Sequence, residues 1–106
     1  MPNRHRTVEE LTFNATVGRN IKFLRKRRNL NQSKVAATIG TTFQQVQKYE
    51  KGANGCSAIK LSLIANKFNV SMDVLADPMM IAKYEGLNEY NKSWCLRNRN
   101  TRANNG

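Results

Sequence analysis

The sequence predicts an all-α domain, on three observations. Segments with apolar residues at helical spacing each follow a Ser, Thr or Asn that can cap a helix. Glycine, asparagine or proline closes most of these segments, and the strict apolar–polar alternation of a half-buried strand is almost absent. A chain of 106 residues with 40% hydrophobic residues suffices for one small core with tails, and is far too short for a large enzyme fold.

The first predicted helix follows Thr16 as its N-cap and runs from 17 to about 28. Val17, Ile21 and Leu24 share one face of it, and Asn29 follows its end.

Two short helices come next, joined by a glycine. Asn31 can cap a helix over 32–39, and Thr42 can cap another over 43–51. Gly40 lies between them, where a residue that accepts positive φ allows a sharp turn.

A fourth helix is predicted from Ser57 to about 68 and a fifth over 72–76, capped by Ser71. Pro78 stops the fifth because the residue before a proline avoids the helical region. The side chains expected to face inward from the fourth helix are Ile59, Leu63, Ile64 and Phe68.

The chain is therefore predicted to have a flexible N-terminal arm (1–15), a helical domain (16–78), an extra helix (79–95) and a disordered basic tail (96–106). Asp77 and Pro78 are suitable as N-cap and first residue of that extra helix. Its apolar stripe either packs on the chain's own body or, as we favour, pairs with a second copy. The stripe consists of Met80, Tyr84, Leu87 and Trp94, flanked by Ile81 and Tyr90.

Eighteen Lys and Arg residues against seven Asp and Glu give a net charge of +11 and a pI near 10.3. Such an excess attracts polyanions, nucleic acid first among them. An anionic membrane is the rival partner, but it requires a basic helix with a bulky apolar face free for lipid. No apolar run is long enough to span a membrane, and no leader is recognisable, so we expect a cytoplasmic protein.

The residues that catalysis or metal binding would need are scarce. His5 is the single histidine, and Cys56 and Cys95 lie far apart without metal-ligand spacing. Glu85 and Glu89 are more typical of a solvated face than of a metal site. We therefore expect no enzyme activity, catalytic residue, metal or cofactor.

The segment around Gly40 has the spacing of a helix-turn-helix. Ala36 lies four residues before Gly40, where only a small side chain lets the helices approach, and Val46 lies six after it, where a branched side chain fills the gap. The outward face of the second helix then carries amides and lysines suited to base edges and phosphates. Its members are Phe43, Gln44, Gln47, Lys48 and Lys51.

Residues 30–52, LNQSKVAATIGTTFQQVQKYEKG, resemble the helix-turn-helix of lambdoid phage repressors and Cro proteins, the xenobiotic-response-element type. The likeness extends over about 17–78. It implies a five-helix lambda-repressor-like domain that binds a palindromic double-stranded operator as a homodimer and regulates transcription, as a repressor in our interpretation. The alternative is a DNA-binding antitoxin, whose further partner would be a toxin or another regulatory protein.

The resemblance also implies roles for individual residues. Base reading is expected of Phe43, Gln44, Gln47 and Lys48. Contacts to the DNA backbone are expected of Gln32, Thr42, Lys51, Asn54, Arg19 and Lys22. Phe43 stands where the family often has glutamine, which favours contact with a thymine methyl over adenine readout; burial of Phe43 in the core is the alternative. Arg25 and Glu50 occupy the family's structural salt-bridge positions.

Overall fold

The computed structural model describes residues 6–86, and within them the chain forms helices and no strand. In chain order the helices are α1 (Val8–Arg27), α2 (Gln32–Ile39), α3 (Phe43–Glu50), α4 (Ala58–Phe68), α5 (Met72–Ala76) and α6 (Met80–Gly86). The predicted all-α class is confirmed. None of these helices is both long and apolar enough to cross a membrane.

The start of α1 corrects the predicted N-terminal arm. The helix begins at Val8 instead of 17, and Thr16 is buried in its middle. Thr7 is the N-cap: its hydroxyl accepts a hydrogen bond from the Glu10 backbone N–H (3.0 Å), and the Glu10 carboxylate accepts one from the Thr7 N–H (2.9 Å). This reciprocal capping box satisfies two of the backbone donors that a helix start leaves open. Residues 8–15 are therefore helical, and the predicted boundary at 15/16 lies inside a continuous helix.

The other predicted N-caps are formed, and they define the starts of α2 to α5. Each cap side chain accepts a hydrogen bond from the backbone N–H three residues further on, over 2.8–3.3 Å. The capping residues are Asn31, Thr42, Ser57 and Ser71. Asp77 has extended backbone (ψ 115°) after the last residue of α5, as expected before Pro78.

The core lies between α1 and the helices that pack on it, α3, α4, α5 and α6, and extends to α2, which packs on α3 and α4. Its fully buried apolar side chains are Ile21, Val35, Ile39, Val46, Ile64, Phe68, Leu75 and Met80. The predicted inward face of α4 is partly wrong, because Ile59 is 63% exposed while Leu61 and Ala65 are buried. The face that α4 packs against α2 and α5 begins at Leu61, one turn beyond the helix start.

The last described helix begins later than predicted and uses its apolar stripe within the chain. Backbone turns at Pro78 and Met79 precede α6, and the Asp77 carboxylate accepts a hydrogen bond from the Met79 N–H (2.8 Å). Met80 is fully buried, and the Tyr84 ring meets the Phe23 ring edge-on at 5.2 Å.

Met80 and Tyr84 therefore pack on the body of their own chain, and pairing of the stripe with a second copy stays a prediction. The Met80 side chain is apolar, and it is removed from water by burial in the core of its own chain. Leu87, Glu89, Tyr90, Trp94, Cys95 and the basic tail lie outside the described residues, as does His5.

Candidate nucleic-acid interface

The turn between α2 and α3 has the geometry that the sequence spacing requires. Gly40 adopts a left-handed conformation (φ 70°, ψ 45°), and the Thr41 N–H donates to the Ala36 carbonyl at 2.9 Å. Ala36 is 3% exposed and Val46 is 1% exposed, so the small and branched side chains both lie in the contact between the helices. α2 and α3 therefore form a helix-turn-helix with a packed interior.

The two faces of α3 differ sharply in exposure. Val46 and Tyr49 are buried against the body, while Phe43, Gln44 and Lys48 are exposed and Gln47 is half-buried. Phe43 is 43% exposed, which makes the alternative of a core phenylalanine wrong. The four residues predicted to read bases thus lie on one helix, three of them open to solvent.

A network of charged hydrogen bonds holds the C-terminal end of α3. The Arg25 Nε donates to Glu50 Oε2 at 2.6 Å and its Nη2 to Oε1 at 3.1 Å, so the predicted ion pair is present and bidentate. Gln32 Nε2 donates to the same carboxylate at 3.0 Å, and Arg25 Nη1 donates to the Leu30 carbonyl at 2.9 Å. The Gln32 amide therefore braces α3 from the first turn of α2. The side chains of Arg25 and Glu50 are only 10% and 3% exposed.

A close contact between α1 and α3 depends on Gly18, whose role the sequence analysis missed. A Cβ at this position would lie 2.1 Å from the Tyr49 carbonyl oxygen and 2.8 Å from that of Glu50. Only glycine lets the backbone of α1 approach the end of α3 this closely. A glycine within a helical apolar pattern was the available signal.

Lys60 is a second residue that the sequence analysis missed. Its ammonium group, carried on α4, donates to the Ile39 carbonyl at 2.6 Å and to the Gly40 carbonyl at 3.3 Å. These carbonyls end α2, where the helix dipole favours a cation. A lysine in the first turn of α4 is unfavourable for the dipole of α4 itself, and that conflict was the available signal.

Apart from Gln32, which lies in the first turn of α2, the residues predicted to contact the DNA backbone fall into two groups. Thr42 precedes α3 directly as its N-cap, Lys51 follows it as an exposed C-cap, and Asn54 lies three residues further on. The Ala53 and Asn54 N–H groups both donate to the Lys48 carbonyl. Arg19 and Lys22 are exposed on α1, outside the helix-turn-helix. The structure therefore gathers the first group around α3 and leaves the second on another helix.

The structure gives little support for catalysis or metal binding by the remaining candidate residues. Burial raises the pKa of the Cys56 thiol to about 11, which keeps it protonated and unreactive near neutral pH. Among residues 6–86 no three His, Cys, Asp or Glu side chains are grouped so that they could hold a metal ion.

Comparisons with known proteins agree with this geometry. The family model described as "Helix-turn-helix" matches residues 21–75. An uncharacterized HTH-type transcriptional regulator, y4aM of Sinorhizobium fredii, is 46% identical over 54 residues, which cover 51% of this chain and 38% of the relative. A transcriptional regulator in the ATPase CF(0) region of Rhodospirillum rubrum is 40% identical over 68 residues, covering 64% and 61%.

The antitoxin PezA of Streptococcus pneumoniae is 34% identical over 70 residues, covering 65% of this chain and 44% of PezA. The matched region spans about two fifths of the first of these relatives and of PezA. No solved structure matches this chain. The matching region contains the whole of α2 to α4, including the packed turn and the exposed face of α3. The chain therefore belongs to the lambda repressor/Cro-like helix-turn-helix family of DNA-binding transcriptional regulators.

Proposed function

We propose that this protein is a sequence-specific repressor that binds a palindromic operator as a homodimer, with α3 in the major groove. The observation that carries the proposal is the exposed face of α3, where Phe43, Gln44 and Lys48 are open to solvent. The opposite face of this helix is packed on the body of the domain. An α-helix fits the major groove, whose base edges present distinct donor and acceptor patterns.

The side chains of this face divide the work of base reading. Gln44 and Gln47 carry amides that suit the paired donor and acceptor of adenine, and Lys48 suits the acceptors of guanine. Phe43 offers an apolar ring edge to a thymine methyl. The backbone contacts are assigned to Gln32, Thr42, Lys51, Asn54, Arg19 and Lys22.

Gln32 has a dual part in this proposal. Its amide donates to Glu50 at 3.0 Å and is half-buried at the start of α2. The second N–H of the same amide is available to a phosphate oxygen, which would link the DNA backbone to the position of α3.

A dimer is proposed because one α3 contacts too few base pairs to specify an operator. A single recognition helix reads only a few base pairs, so two are needed, on half-sites about one helical turn or 34 Å apart. The protein would then act on DNA in the cytoplasm, associated with the nucleoid.

Selection of bound sites from a random DNA pool tests the proposal, followed by binding of variants to the selected site. Gln44→Ala and Lys48→Ala should each cost about 1–3 kcal/mol on that site and relax the choice at one base pair. Lys51→Ala should weaken all sequences alike and flatten the salt dependence by about one unit per half-site.

Lys67→Ala is the matched control, since Lys67 lies in the last turn of α4, outside the helix-turn-helix. It should leave the site preference unchanged. If the alanine variants of Gln44 and Lys48 kept the wild-type preference, α3 would not be reading the bases through this face. Protection of one short half-site by a single chain would contradict the dimer.

The named antitoxin among the relatives supports a second candidate function. PezA is 34% identical over 70 residues, so a promoter-binding antitoxin is the alternative. Co-expression with the neighbouring open reading frames distinguishes the two, because an antitoxin should co-purify with a small protein whose toxicity it suppresses.

A further inference from the structure

An apolar groove lies beside the first half of α1. Its volume is about 360 Å³, and it runs between α1 and the turn that joins α5 to α6. Its walls are Val8, Glu9, Thr12, Phe13, Thr16, Ala76 and Pro78.

The apolar side chains at this groove are unusually open. Val8 is 75% exposed, Phe13 is 46% exposed, and Met79, next to Pro78, is 54% exposed. No side chain of residues 8–15 is buried, although they form the first two turns of α1. Short helical segments are marginal in water unless a face is packed, and apolar patches of this kind mark interaction sites.

We propose that the groove binds the C-terminal segment of the same chain, residues 87–96. That segment carries apolar side chains that would cover the exposed apolar walls of the groove, namely Leu87, Tyr90, Trp94 and Leu96. The interaction goes beyond DNA binding, because it covers an apolar surface that α3 does not share.

Charge complementarity favours this occupant. Residues 97–106 carry three arginines and no acidic residue. Glu9, in the acidic first turn of α1, lies on the groove wall. Arginines that follow the docked segment would meet this carboxylate, whereas most of the surface of this basic chain would repel them.

The segment after α6 is also long enough to reach the groove. The Arg27 guanidinium lies 4.7 Å from the centre of the Tyr84 ring, so α6 ends near the C-terminal end of α1. The rise of an α-helix puts Val8 about 29 Å back along α1. Trp94 is the eighth residue after the end of α6, and eight extended residues cover about 26–29 Å. Residues 87–96 are thus long enough to return along α1 and bring Trp94 to the groove within one chain.

The native thiol of Cys95 provides the test, in full-length protein carrying Cys56→Ser. Thr12→Cys puts a thiol on the groove wall, and Ser33→Cys, on the exposed face of α2, is the control. With oxidised glutathione, Thr12→Cys should form a disulfide with Cys95 inside one chain, at least tenfold faster than Ser33→Cys. Equal rates would overturn the proposal, and a covalent dimer would assign the groove to a second copy instead.

Fluorescence of Trp94, the single tryptophan, gives an independent reading. Val8→Ser should shift its emission to longer wavelength by weakening the groove. Ile59→Ser is the matched control, because Ile59 is similarly exposed (63%) but lies on α4. Unchanged emission in Val8→Ser, or an equal shift in both variants, would count against docking at this groove.

Discussion

Replacing Gly18 by alanine tests how closely the end of α3 is held against α1. The added methyl carbon would lie 2.1 Å from the Tyr49 carbonyl oxygen and 2.9 Å from the Glu50 carbonyl carbon. Both neighbours are backbone atoms, so no side-chain rotation relieves the contact. α1 and α3 must separate by about an ångström, since real contacts of this kind keep at least 3.0 Å.

Two opposing terms set the size of the effect. Overpacking of a packed interior costs about 1–3 kcal/mol, and a clash with backbone lies at the upper end. Alanine in place of glycine inside a helix stabilises the helix by about 1 kcal/mol. The net loss in the free energy of unfolding is then about 2 kcal/mol, which lowers Tm by roughly 8–16 °C in a domain of this size.

Thermal unfolding followed by circular dichroism measures the change, with operator affinity as a second readout. Gly86→Ala is the matched control, because a Cβ there meets no atom within 4 Å. It should leave Tm unchanged or slightly raised. If Gly18→Ala unfolded at or above the wild-type temperature, the close approach of α1 and α3 would not be required, and the reasoning would be refuted.

Three further predictions follow from the contacts around α3. Glu50→Ala strands the largely buried Arg25 and should cost about 3–5 kcal/mol; an unchanged urea midpoint would show that the pair contributes nothing. Lys60→Met removes the cation from the end of α2 and should lower Tm while leaving the salt dependence of DNA binding unchanged; a flatter salt slope would make Lys60 a phosphate contact instead. The Cys56 thiol, with its pKa raised to about 11, should react with iodoacetamide at pH 8 far more slowly in folded protein than in urea. That comparison uses Cys95→Ser protein, and equal rates would contradict the burial.

The same thiol gives a direction for stability against pH. A raised pKa means that the folded state keeps its proton after the unfolded chain, with a thiol pKa of about 8.5, has lost it. The contribution of Cys56 to stability is thus fully present below about pH 8.5 and declines as the pH rises towards 11.

The sequence by itself determined the features that depend on neighbours along the chain. The caps of α2 to α5 join residues three apart, and the turn at Gly40 needs only a residue that accepts positive φ. The capping box of Thr7 and Glu10 was equally readable. The segment after it lacks a clear apolar face, and the predicted start of α1 is too late for that reason.

Tertiary structure alone decided the contacts that join residues distant in sequence. Asn20 Nδ2 donates to the Leu75 and Asp77 carbonyls, 55 and 57 residues away, both at 2.9 Å, and so ties α1 to the end of α5. Lys60 reaches back 21 residues to Ile39. The ion pair of Arg25 and Glu50 was expected only from the family resemblance.

The destination of the α6 stripe was likewise open in the sequence, because periodicity shows that a face is apolar and leaves its partner unspecified. Met80 and Tyr84 could have served a second copy equally well. In the tertiary structure Met80 is buried in the core cluster and the Tyr84 ring packs on Phe23 of α1, two contacts that join residues far apart in the sequence.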